Sequence, residues 1–229
     1  MRPHIVQSLE PITLFGGGEA DSGTIALALD IAPFVVAADG GANLAMHQNI
    51  VPKAVIGDFD SISQDVLSKL ASETLFKIDE QDSTDFDKAL RNISAPMILA
   101  VGFTGGRIDH QLAAFNALIQ HADKTCVVIG ASEIVFVAPQ QLTLELPVGS
   151  VFSLFPLGNV SGTSLGLKWP IDGLDFSSDG RVGTSNEVSG PIELTFDAPN
   201  MLVVLPRAHL HHVVQALLKN DAQWSSRAE

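Results

Sequence analysis

The chain has 229 residues, with 13 Lys and Arg against 26 Asp and Glu, for a net charge of −13. That balance disfavours nonspecific attraction to nucleic acid or to an anionic membrane, and no apolar run approaches the ~20 residues of a membrane-spanning helix. With 46% hydrophobic and 17% charged residues, the composition is that of a globular protein with room for one large domain or two modest ones.

The opening Met1-Arg2-Pro3-His4 lacks the basic-then-apolar pattern of a signal peptide, so a cytoplasmic location is expected. From residue 12 onward, short β-rich runs alternate with helix-like stretches. Strands are predicted at 12–15, 34–38, 54–57, 74–78, 97–103 and 125–129, with helices at 22–29, 42–47, 63–70, 85–93 and 109–121. This alternation is the pattern of a parallel sheet with covering helices. The lone Cys126 lies in the last of these strands, where a packing role is expected. After residue 130, closely spaced apolar runs at 134–138, 142–146, 151–155, 192–196 and 201–205 are separated by Gly, Pro, Asn and Ser. They read as a small antiparallel sandwich or barrel. From His209 the spacing of Val213, Val214, Leu217 and Leu218 predicts a terminal helix, with His209, His211 and His212 at its solvated start.

Nearly all the unusual residues of the first half fall just past predicted strand ends: Gly16-Gly17-Gly18-Glu19, Asp39-Gly40-Gly41, Asp58-Phe59-Asp60-Ser61, Asp82-Ser83-Thr84-Asp85 and Gly105-Gly106-Arg107-Ile108-Asp109. In an open α/β sheet, ligands bind outside the carboxyl ends of the strands, so these segments point to one cleft. Each also has a simpler reading. Gly16–Gly18 is either a tight turn or a place where backbone N–H groups approach phosphate. Asp58 and Asp60, two apart on an extended segment, either converge on a cation or form a solvated acidic loop. Thr84 and Asp109 suit helix N-caps as well as a site, and Arg107 suits a phosphate or an aspartate partner. Trp169 reads as core or as a stacking platform.

Taken together, Ala38-Asp39-Gly40-Gly41-Ala42-Asn43, Ile56-Gly57-Asp58-Phe59-Asp60-Ser61, Gln81-Asp82-Ser83-Thr84-Asp85 and Gly105-Gly106-Arg107-Ile108-Asp109-His110 resemble the motifs of the thiamine pyrophosphokinase family. Gly166-Leu167-Lys168-Trp169-Pro170 and Thr184-Ser185-Asn186-Glu187 are similar to that family's thiamine-site segments. Departures are Asn49, where the family commonly has glycine, the segment 172–183 and the tail after Pro206. The resemblance implies an α/β fold, a parallel-sheet nucleotide-binding domain followed by an antiparallel β-sandwich domain that binds thiamine; the change of pattern after residue 130 places these at 1–130 and 131–229, the second ending in the predicted helical tail. The resemblance also implies a homodimer with active sites between subunits, and transfer of a diphosphate from Mg-ATP to thiamine with release of AMP. On the same basis Asp58, Asp60 and Asp85 hold Mg²⁺, and Asp39, Asn43, Gln81, Thr84, Arg107 and Asp109 complete the nucleotide and phosphate site. Trp169, Ser185 and Asn186 cradle thiamine. Rival readings are a pyrophosphokinase for another hydroxymethyl heterocycle, such as a pterin, and a noncatalytic sensor.

Overall fold

The computed structural model describes residues 4–225 and resolves into two compact units. The first comprises the chain up to Ala117 together with Cys126–Ala131, and the second comprises Leu118–Thr125 and the chain from Ser132 onward.

In chain order the first unit contains β1 (Val6–Gln7), β2 (Ile12–Phe15), α1 (Ser22–Ile31), β3 (Phe34–Ala38), α2 (Gly41–His47), β4 (Ala54–Gly57), α3 (Gln64–Lys69), β5 (Leu75–Lys77), α4 (Asp85–Asn92), β6 (Ile93–Ser94), β7 (Ile98–Val101), most of α5 (Ile108–Gln120) and β8 (Cys126–Ile129). Its main strands run in the order β8-β7-β2-β3-β4-β5, every neighbouring pair parallel. A sheet covered on both faces needs apolar residues at successive positions rather than alternate ones. Ile12, Leu14 and Phe15 of β2, Val55 and Ile56 of β4, and Val127 and Val128 of β8 are accordingly all buried. Thr13 is the polar interruption in β2, and its hydroxyl is satisfied by the carbonyl of Ala32 at 2.6 Å.

Helix starts follow local capping. Asp21 accepts from the Thr24 N–H at 2.9 Å, Ser63 from Val66 at 3.3 Å, and Thr84 from Asp87 at 3.2 Å. Asn49 takes a left-handed φ of 59° just past α2, a conformation asparagine tolerates. The strand predicted over 97–103 is shorter, because Gly102 at φ 76° turns the chain after Val101.

The second unit is antiparallel throughout: β9 (Glu133–Val137), β10 (Gln141–Leu144), β11 (Val151–Pro156), β12 (Val160–Leu167), β13 (Asp175–Phe176), β14 (Gly183–Phe196) and β15 (Met201–Pro206), followed by α6 (Leu210–Leu218). The 14 residues of β14 serve two sets of partners. Its first half pairs β11 through Val151↔Glu187 and Phe152↔Asn186, and its second half pairs both β10 and β12, with Leu194 opposite Leu142 and Ser164. The sequence reading missed β12, β13 and the first half of β14. In α6, Val213, Val214 and Leu217 pack as expected, but Leu218 is 44% exposed. No helix among the described residues is long and apolar enough to cross a membrane.

Candidate active site

In the first unit, successive strands leave β2 in opposite directions, β3-β4-β5 on one side and β7-β8 on the other. A reversal of this kind opens a crevice at the carboxyl ends of the two central strands. The loop after β2 and the loop after β7 meet there. The Gly18 N–H donates to the Gly102 carbonyl at 2.7 Å, and a Cβ on Gly16 or Gly18 would lie 2.5 or 2.7 Å from that carbonyl oxygen. Close approach of backbone to backbone is therefore what demands glycine at these positions.

Asp39 ends β3 in a left-handed conformation, φ 41°, and is only 1% exposed. Its Oδ2 accepts from the Ser61 N–H at 3.1 Å, whereas its Oδ1 is buried with no partner among the described residues. After β4, Asp58 and Asp60 do converge, but not on extended backbone. Phe59 between them has φ 72°, and this left-handed turn folds the Asp60 N–H back onto Asp58 Oδ1 at 3.3 Å. A non-glycine residue in this region costs about 1–3 kcal/mol, which the surrounding loop must offset. Asn43 supplies part of that, donating to the Ser61 carbonyl at 2.8 Å and accepting from the Ser63 N–H at 3.0 Å. One carboxylate oxygen each from Asp39, Asp58 and Asp60 lies within 4.8 Å of the others. Three carboxylates this close, one of them largely buried, fit a divalent cation.

Asp85 does not join that trio. It opens α4 and is held by Lys88, a residue the sequence reading passed over. Lys88 is 2% exposed and places its Nζ 2.9 Å from Asp58 Oδ2 and 3.0 Å from Asp85 Oδ1. The signal in the sequence was a lysine in the first turn of a helix, where the dipole disfavours a cation, three residues after Asp85. Burial works against the Lys88 ammonium, but the hydrogen bonds and charges of Asp58 and Asp85 outweigh it and hold its pKa above the ordinary lysine value. The Lys88 hydrogen bond draws the Asp58 carboxyl below its usual range. Burial pushes Asp39 and Asp85 the other way, reinforced for Asp39 by the charges of Asp85 and Asp58 and for Asp85 by those of Asp58 and Asp60.

The remaining predicted residues are more exposed. Thr84 caps α4, and Gln81 lies at the surface of the loop before it. That loop is tied to α4 by Arg91, which contacts Glu80, Ser83 and Asp87. Arg107 and Asp109 pair with each other at 3.1 and 2.5 Å, the aspartate partner foreseen as one of two readings. The Arg107 hydrogen bonds hold the Asp109 carboxyl down to about 2. Phe86 of α4 packs on Phe103 of the loop after β7, ring centroids 4.1 Å apart.

Within the second unit, Trp169, Pro170, Ile171, Phe176, Val182 and Asn186 line a cleft of about 180 Å³. Trp169 is 54% exposed, so it is not a core residue. Buried Asn186 grips its backbone twice: Oδ1 accepts from the Trp169 N–H at 3.1 Å, and Nδ2 donates to the Trp169 carbonyl at 2.7 Å. The Lys168 ammonium sits 4.9 Å from the centre of the indole ring and pairs with Glu187 at 3.1 Å. Ser185 adopts φ 62°, and its N–H donates to Ser153 Oγ at 2.9 Å.

These features define a mixed α/β protein that gathers carboxylates at parallel strand ends and carries a separate aromatic-lined cleft. Comparison with known proteins narrows this. Residues 25–129 match the family description "Thiamin pyrophosphokinase, catalytic domain", and residues 140–201 match "Thiamin pyrophosphokinase, vitamin B1 binding domain". Thiamine pyrophosphokinase 1 of Arabidopsis thaliana is 30% identical over 185 residues, 66% of this chain and 69% of its own length. Thiamine pyrophosphokinase 2 of the same plant is 30% identical over 189 residues, 68% of this chain and 71% of its own. The solved thiamin pyrophosphokinase from Candida albicans shares the fold, with a TM-score of 0.69 at 18% identity over 90% of this chain and 94% of that one. The chain belongs to the thiamine pyrophosphokinase family, and thus to the transferase enzymes.

Proposed function

We propose that the chain transfers the β,γ-diphosphate of Mg-ATP to the hydroxyl of thiamine, giving thiamine diphosphate and AMP. The observation that carries this reading is the grouping of one carboxylate oxygen each from Asp39, Asp58 and Asp60 within 4.8 Å of the others, in a chain whose family acts on thiamine. The parallel-sheet unit serves as the nucleotide-binding domain and the antiparallel unit, as a β-sandwich, serves as the thiamine-binding domain. The protein acts in the cytoplasm as a homodimer with composite sites.

Asp39, Asp58 and Asp60 would hold Mg²⁺, with Asp85 oriented beside them through Lys88. Bound there, the ion supplies electrostatic neutralisation of the phosphate oxygens. Arg107, on an exposed loop next to its Asp109 partner, offers a bidentate fork that an incoming phosphate can share. Asn43 and Thr84 keep the aspartate loop and the α4 terminus in place, while Gln81 contacts the nucleotide. Because phosphoryl transition states are loose, fixing the reacting groups matters more than a strong base. In the cleft, the free face of Trp169 stacks on the flat aminopyrimidine and attracts the cationic thiazolium. Asn186 and Ser185 hold the shape of that wall.

Incubation with thiamine and Mg-ATP tests this directly. Thiamine diphosphate and AMP are expected in equal amounts, whereas ADP as the sole nucleotide product, or turnover of a pterin but not of thiamine, overturns the proposal.

A further inference from the structure

A buried ammonium is costly unless charges and hydrogen bonds compensate it, so the placement of Lys88 calls for an account. It lies in the first turn of α4, against the helix dipole, yet it is 2% exposed and bonded to Asp58 and Asp85 together. The two carboxylates it holds differ in their surroundings. Asp58 is one of the converging trio, and Asp85 lies outside it. One oxygen of Asp58 is therefore committed to an internal cation and the other to the Asp60 N–H.

We propose that Lys88 is a positioning residue that acts as the resident cation of the site. It fixes the Asp58 and Asp85 carboxylates and at the same time weakens the affinity of the nucleotide-free site for a divalent ion, so that the ion is held firmly only when a polyphosphate adds its own oxygens. This rests on the reading that the aspartates serve Mg-ATP. Without Lys88, the carboxylates of Asp39, Asp58, Asp60 and Asp85 would lose the cation that pairs with Asp58 and Asp85. A divalent ion would then be drawn into the empty enzyme, and Asp85 would be released to turn toward it. A unit charge a few ångströms from a divalent ion changes its affinity by roughly tenfold even under water-like screening. A lysine that served only packing would have no such effect.

The test is Mn²⁺ binding to nucleotide-free protein, followed by electron paramagnetic resonance, beside kcat and the KM for Mg-ATP. Lys88→Met keeps the length and suits the burial. It is expected to bind Mn²⁺ about tenfold more tightly than the unaltered protein while kcat falls by about tenfold or more. Lys88→Arg keeps the charge but not the geometry. Its Mn²⁺ affinity should stay within about threefold of the unaltered protein, with kcat reduced. If Lys88→Met does not fold, Lys88→Gln, neutral and still able to donate, carries the same measurement. A folded neutral variant that binds Mn²⁺ no more tightly than the unaltered protein overturns the inference, as does absence of binding in both. Failure of the proposed activity would show separately, as unaltered protein that forms no AMP from thiamine and Mg-ATP.

Discussion

The two candidate binding regions are built by different means. At the strand ends of the parallel unit, geometry is set by charge: Asp39, Asp58, Asp60 and Asp85 are held near one another against their repulsion by Lys88 and by backbone donors such as Ser61 N–H. In the antiparallel unit, geometry is set by neutral hydrogen bonds, with Asn186 gripping the Trp169 backbone and Ser153 holding Ser185 in a left-handed turn. A region of the first kind tolerates loss of a carboxylate without unfolding, because removal relieves repulsion, but loses its chemistry. In a region of the second kind, a lost partner leaves buried polar groups unsatisfied, and shape and stability fall together.

The largest expected effect tests the first half of that contrast. Asp60→Asn should lower kcat by at least ~10²-fold, with an unchanged circular dichroism spectrum and a metal-free thermal midpoint no lower than that of the unaltered protein. Near-normal turnover, or turnover without a divalent ion, would show that the acidic loop is only solvated surface. Asn186→Ala should behave oppositely, losing about 1–3 kcal/mol of stability in denaturant titration and raising the KM for thiamine while leaving that for Mg-ATP unchanged. Equal effects on both KM values would dissolve the distinction.

Trp169→Ala should raise the thiamine KM by roughly tenfold, the worth of one stacking or cation–π contact of about 1–2 kcal/mol. If the proposed dimer shares its sites, subunit exchange between this variant and Asp60→Asn at limiting thiamine gives some dimers with one intact site. Activity then recovers to about a quarter of the unaltered level. No recovery after verified exchange places each site within one chain.

The smallest effect is the most specific to the charged region. Burial and neighbouring carboxylates raise the Asp39 pKa, so the folded protein binds this proton more tightly than the unfolded chain and ionised Asp39 opposes folding. Asp39→Asn, whose side chain tolerates φ 41°, should therefore raise the metal-free thermal midpoint at pH 7.5. The gain should shrink as pH falls through the raised pKa, where the unaltered carboxyl takes up its proton, and it should reverse when Mn²⁺ is added. A difference that does not change with pH assigns it to the backbone turn instead.

How far these regions could be read from sequence follows the same division. Short, mostly apolar runs followed by Gly or Asp located β2, β3 and β4, because strands buried on both faces admit few polar residues. The aspartates stood out as charges at the ends of such runs. Strand β12, Val-Ser-Gly-Thr-Ser-Leu-Gly-Leu, was not legible. Its buried positions include Ser164, satisfied by the Ile171 N–H at 3.0 Å, and Gly166 bends it at φ 76°. Lys88 was missed because a lysine beside Asp87 and Arg91 looks like part of a solvated helix face, and only tertiary contact reveals its burial. The grouping of Asp39 with Asp58 and Asp60 goes with left-handed backbone at both Asp39 and Phe59, which residue type alone does not announce.

The packed, tilted rings of Phe86 and Phe103 add a constraint on how such a protein can diverge. They join the helix that begins with Asp85 to the loop that leads to Arg107, so neither ring can change size without a gap or a clash between two segments of the charged region. Across relatives, the two positions should therefore drift as a pair, a bulkier partner meeting a smaller one, even while neither touches a substrate.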